Sequence, residues 1–118
     1  QKSMVVSDGA GAGAAVVNAN PTVAAGYPAP SLIATSATVA SSTFQVVTAG
    51  GITITLPATP TAGDFVAVKD GTGAAATTNF TVARNNSNIA SSATDLTFDK
   101  NFAEIVMTYI DATIGWSV

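Results

Sequence analysis

The stretch TFQVVTAGGITITLPATP, Thr43 to Pro60, decides the fold class. Two runs rich in β-branched residues, Thr43 to Thr48 and Ile52 to Leu56, flank Ala49-Gly50-Gly51, and a glycine pair between such runs predicts a β-hairpin. Within the second run Ile52, Ile54 and Leu56 fall on one face and Thr53 and Thr55 on the other, the period of a half-buried strand. Pro57 and Pro60 remove ladder donors and end it.

The same grammar continues to the C-terminus. Ala62-Gly63-Asp64 predicts a turn, Phe65 to Lys69 a strand, and Asp70 to Thr78 a loop rich in Gly and Ala. Phe80 to Arg84 places Phe80 and Val82 on one face, and Asn85 to Asn88 turns the chain. Ile89 is a brief apolar anchor, and Leu96 and Phe98 sit two apart. Phe102 to Ile110 is the longest strand candidate, with Ile105, Met107 and Tyr109 in period two, and Trp116 follows a turn at Gly115. No helical period lasts ten residues. The expected fold is all-β, a small antiparallel sandwich or barrel, jelly-roll-like. One core should collect Ile52, Ile54, Leu56, Val66, Val68, Phe80, Val82, Leu96, Phe98, Ile105 and Met107.

The N-terminal third reads differently. Gly9 through Gly63 spans 55 residues without a charged side chain, yet no run of about 18 apolar residues occurs to cross a membrane. Residues 1–38 carry Gly9, Gly11, Gly13, Pro21, Gly26, Pro28 and Pro30, and Ala24 to Ser31 should be extended or polyproline-like. Too few large apolar residues are present for a second core, so this segment is expected to be an extended arm ordered on a partner surface. The β domain is then 39–118. The 118-residue length suits one domain and an arm.

Composition excludes several functions. Lys2, Lys69, Arg84 and Lys100 are dispersed in a chain of net charge -3, so neither nucleic acid nor an anionic membrane finds a basic patch. Cysteine and histidine are both absent, which removes thiolate and imidazole ligands and the commonest general base. Catalysis would rest on Asp64, Asp70, Asp95, Asp99, Glu104 and Asp111. Most of these fall at turns or strand ends, where Asp caps backbone and solubilises the surface. On one strand Asp95 and Asp99 would lie about 13 Å apart, too far to share an ion.

Shorter motifs resolve the same way. Asp70-Gly71-Thr72-Gly73 lacks the alternating oxygen ligands of an EF-hand, since Thr72 and Ala74 stand where Asp or Asn is required. Gly9, Gly11 and Ala14 match a dinucleotide fingerprint in letters, but Pro21 would close its helix and the next acid is Asp64. Asn79-Phe80-Thr81 and Asn85-Asn86-Ser87 are formal glycosylation sequons. Tyr27, Tyr109 and Trp116 could stack on sugars, although Tyr109 continues an apolar face and Trp116 closes the last strand, which favours packing. No catalytic, cofactor-binding or metal residue is assigned, and no cofactor is expected.

Residues 43–118 resemble a β-module of bacteriophage virion proteins. The resemblance is carried by GITITLPATPTAGDFVAVKD, NFTVARNNSNI, LTF and IVMTYIDATIGW, with Leu56-Pro57, Ala62-Gly63-Asp64, Ile89, Tyr109 and Gly115-Trp116 at its marker positions. It implies a non-enzymatic virion structural protein, in a group that includes fibres and capsid decoration proteins and is commonly trimeric. The short chain lacks the repeated segments of a fibre shaft. The expectation is therefore a decoration (cement) subunit on the outer capsid surface, a homotrimer bound to the major capsid protein. A short head or tail fibre and a carbohydrate-binding adhesin domain are the alternatives.

Overall fold

A computed structural model describes residues 28–118. Among these residues nine strands run in chain order: β1 (Pro30–Ile33), β2 (Ala37–Thr38), β3 (Thr43–Val47), β4 (Thr53–Thr55), β5 (Phe65–Asp70), β6 (Phe80–Ala83), β7 (Leu96–Phe98), β8 (Glu104–Tyr109) and β9 (Trp116–Ser117). No helix occurs among the described residues, so the all-β expectation holds. The strands form a five-stranded sheet, β9-β8-β5-β3-β1, and a four-stranded sheet, β2-β4-β6-β7.

Pairing within these sheets is not the antiparallel pattern expected. From β1 to β6 the chain alternates between the sheets, so each strand pairs parallel with the one two places on: β1 with β3, β3 with β5, β2 with β4, and β4 with β6. The path is three stacked coils. Antiparallel pairing is confined to the last three strands, with β7 on β6, β8 on β5 and β9 on β8.

The glycine pair illustrates the cause. Gly51 has φ 74° and does turn the chain, but its amide donates to Asn79 O at 2.9 Å, not across a hairpin. Thr43–Val47 and Thr53–Thr55 lie in different sheets. A glycine turn serves a corner between sheets as well as a hairpin, because both need only a left-handed residue. Ladders run on through these corners: Val39 donates to Thr55 O, Leu56 to Ala83 O and Gly71 to Val47 O, at 2.8 to 3.0 Å.

One core joins the two sheets. Ile54, Leu56, Val66, Val68, Phe80, Val82, Phe98 and Met107 are buried together, and Ile52, Leu96 and Ile105 pack against them half-buried. All eleven expected core residues are therefore found in or against it. Val39, Val47, Ala75, Ile89 and Trp116 complete the buried set. Phe80 and Phe98, opposite each other in register, stack with ring centroids 4.5 Å apart.

The proposed arm meets the fold at its end. Residues 30–38, expected to be extended arm, supply β1 and β2 and pair with β3 and β4. The expectations for residues 1–27, including the glycine motif at Gly9, Gly11 and Ala14 and the aromatic Tyr27, fall outside the described residues.

Candidate functional site

The candidate carboxylates do not converge, and each has a structural partner. Asp64 Oδ2 accepts from the amide of Thr61 at 2.8 Å and from Ser41 Oγ at 3.2 Å, closing the turn before β5. Asp95 Oδ1 accepts from the amide of Arg84 at 3.0 Å, so it fastens the start of β7 to the end of β6. Asp111 Oδ1 accepts from the amides of Thr113 and Ile114 at 2.9 and 2.7 Å, forming the turn that ends at Gly115. Asp99 faces Lys100 at 3.9 Å and Glu104 faces Lys69 at the same distance. Exposed pairs of that kind contribute little.

Asp70 departs from its expected role in one respect. It ends β5 and caps backbone as expected of an Asp at a strand end, but it is fully buried and so does not solubilise the surface. Its Oδ1 accepts from Thr72 N at 2.9 Å and Thr72 Oγ1 at 2.6 Å, and its Oδ2 from Ala75 N and Phe102 N, both at 3.1 Å. Burial pushes the carboxyl pKa up, but these four donors outweigh it and hold the group below its ordinary value. A cation in this loop would face amide and hydroxyl hydrogens already aimed at both oxygens. The Asp-Gly-Thr-Gly run is a structural anchor.

Phe102 is the other half of that anchor. Its φ is 60°, unusual for a bulky side chain, and its ring lies over Gly73, where a Cβ would overlap it. Lys69 Nζ donates to its carbonyl at 3.2 Å. The strained residue is thus held by β5 through both of its peptide groups while its side chain stays 63% exposed.

The aromatic candidates do not form a sugar platform. Trp116 is completely buried, and Tyr109 is half-buried against it with centroids 5.6 Å apart in an edge-on arrangement. Trp116 Nε1 has no hydrogen-bond partner among the described residues. Asn85 takes a left-handed conformation and donates its amide to Leu56 O at 2.9 Å, which makes that sequon a packed turn. Asn79 is exposed beside Gly51.

Among the described residues no cluster of three potential metal ligands and no pocket is present. What the surface does offer is an apolar sheet face. Val47, Val66, Val68 and Met107 point into the core, so alternate residues of the same strands face outward. Pro30, Phe44, Ala67 and Val106 form one cross-strand row, and Leu32, Val46, Lys69 and Glu104 the next. Leu32 is 71% exposed and Val106 38%. Periodicity marks only the core side of β5 and β8, through Val66, Val68, Ile105 and Met107, and no face of β1 or β3; the signal for the outward face is the absence of charge along Ser31 to Val47.

Compared with known proteins, the chain matches no family model and no curated protein.

Proposed function

We propose that the chain is a non-enzymatic virion structural subunit, a capsid decoration or cement protein that binds the outer shell of a bacteriophage head. The observation that carries this reading is the outward apolar face of the five-stranded sheet, with Leu32 and Val106 exposed and only the Lys69–Glu104 pair for charge. Such a face gains about 25 cal/mol for each Å² of apolar surface it buries, and a lattice repeats that gain at every subunit. The two sheets act as a rigid sandwich of parallel coils whose carboxylates secure turns. The resemblance of residues 43–118 to phage virion β-modules supports the same assignment.

In this reading three copies associate through uncharged faces, the trimer sits on the major capsid protein, and the residues N-terminal to the sheets extend the contact. The role needs no cofactor, metal, nucleic acid or membrane. A short head or tail fibre is the second reading, favoured by the parallel coils, an architecture that lengthens by adding further coils. An adhesin is less well supported, because Trp116 is enclosed.

Co-sedimentation of the purified chain with phage heads stripped of it tests the proposal. The native chain should pellet with the heads, and Val106→Lys should not, while remaining folded. Equal pelleting of both proteins would remove the sheet face from the account, and failure of the native chain to pellet would remove the capsid.

A further inference from the structure

The outward residues of the five-stranded sheet include one base and one acid, and these stand side by side. Lys69 on β5 and Glu104 on β8 are register partners, with Nζ 3.9 Å from Oε1 and each side chain about a third exposed. Along the same two strands Ala67 pairs with Val106 and Phe65 with Thr108, none of them charged. Val46 and Leu32 extend the row of Lys69 across β3 and β1. The third charge on these strands, Asp70, is buried on the inward side.

Such a face is complementary to itself. A two-fold axis lying in the interface, parallel to the strands and midway between β5 and β8, turns one copy over and sets β8 of each above β5 of the other. Glu104 of each copy then faces Lys69 of the other, twice in one contact, because an isologous interface that joins residue i to j also joins j to i. The same rotation about β5 itself would stack Lys69 on Lys69. The charges therefore select one axis, and they oppose the register one strand away.

We propose that the free chain pairs with a second copy through this face, about the axis between β5 and β8. Val106, exposed two residues along from Glu104, would be enclosed by β5 of the other copy, and Val46 would meet β9. Two sheets packed face to face in the aligned manner lie about 10 Å apart, which leaves room for both layers of side chains. Five strands at about 4.8 Å and six residues at about 3.3 Å give a face of about 19 by 20 Å. That is smaller than the roughly 800 Å² per partner of a standard stable interface, so the pair is weak and can be displaced. The pairing needs no capsid. Where the capsid reading holds, on which this further step rests, the second copy masks the face until the shell displaces it, and the three-copy association proposed above falls to other, uncharged surfaces.

Sedimentation equilibrium up to millimolar concentration tests the pairing with two charge reversals. Lys69→Glu makes both positions acidic and Glu104→Lys makes both basic, so each variant opposes like charges twice and should self-associate at least about tenfold more weakly than the native chain. An equimolar mixture of the two variants sets acid against base at both contacts and should associate as the native chain does. Both side chains are partly solvated and lie outside the core, and Glu104 has no part in the Lys69 bond to Phe102 O, so Glu104→Lys reads the repulsion even where Lys69→Glu folds poorly. Equal association of native chain and variants would overturn the proposal, as would a mixture of folded variants no stronger than its components or a native chain that does not self-associate. The capsid reading fails separately. A native chain that stays unpaired yet pellets with stripped heads overturns only the pairing, and a paired chain that does not pellet overturns only the capsid.

Discussion

The amide of Phe102 donates to Oδ2 of Asp70 at 3.1 Å, across 32 residues of sequence. This bond ties the loop that opens β8 to the end of β5, the strand lying between parallel β3 and antiparallel β8. It stands where the coil stack changes to its antiparallel cover, and the buried carboxylate also organises Thr72 and Ala75.

Asp70→Asn therefore tests more than a charge. The amide that replaces one oxygen would turn a donor toward buried donors, and an unsatisfied buried group of this kind costs about 1 to 3 kcal/mol. Urea unfolding should show a loss of about 2 to 4 kcal/mol, against about 0.5 kcal/mol or less for Asp99→Asn, whose carboxylate only pairs with Lys100 at the surface. Similar losses for both would mean that Asp70 is not an anchor.

Acid should reach the same group. Because the folded pKa of Asp70 lies below its ordinary value of 3.8, the unfolded chain binds the proton first as pH falls. Its contribution to stability is therefore fully present above the unfolded pKa and is lost as pH falls through the depressed folded one. Unfolding free energy measured downward from pH 5 should fall more steeply for the native chain than for Asp70→Asn. Parallel acid limbs would assign the acid sensitivity elsewhere.

Two glycines separate backbone strain from steric fit. Gly51 and Gly115 both have φ above 70° or at it, 74° and 70°, but a Cβ at Gly51 meets nothing while one at Gly115 would strike the carbonyl of Asn88. Trp116 N donates to that same carbonyl at 2.8 Å, so the neighbour has little freedom to move. Gly51→Ala should cost about 1 kcal/mol and Gly115→Ala at least about 3 kcal/mol in thermal or urea unfolding. The reverse order would refute the close approach.

Core and face can be compared in the same way. Ile54 is completely buried, so Ile54→Ala should lose about 2 to 5 kcal/mol, whereas Leu32→Ala on the outward face should change the isolated domain by about 0.5 kcal/mol or less. A large loss for Leu32→Ala would show that the face is covered within the subunit.

The strands from Thr43 onward and the eleven core residues were readable from sequence because both follow from alternation, which is local, whereas β1 and β2 were not, since Pro28 and Pro30 gave Ala24 to Ser31 the look of extended arm. Ile54, Val82 and Met107 each declare a face within a few residues. Pairing was not local: Thr43 aligns with Val66 and Thr53 with Thr81, and the loops between them carry no mark of which sheet the next strand joins. The glycine pair at Gly50-Gly51 had a hairpin meaning and a corner meaning, and only the partner of Gly51 N separates them. Asp70 left a partial clue, since Asp followed two residues later by Thr is a turn-forming combination. Its burial was hidden because Phe102, the donor that encloses it, comes from a distant loop with no motif.

The proposed coating of a capsid through the apolar sheet face is tested most directly by imaging the subunit on intact particles. Electron microscopy of virions labelled with antibody against the β domain should place label regularly over the outer head surface, and heads reconstituted with Val106→Lys should carry none. Label confined to a tail or fibre tip, or absent from particles altogether, would contradict the account.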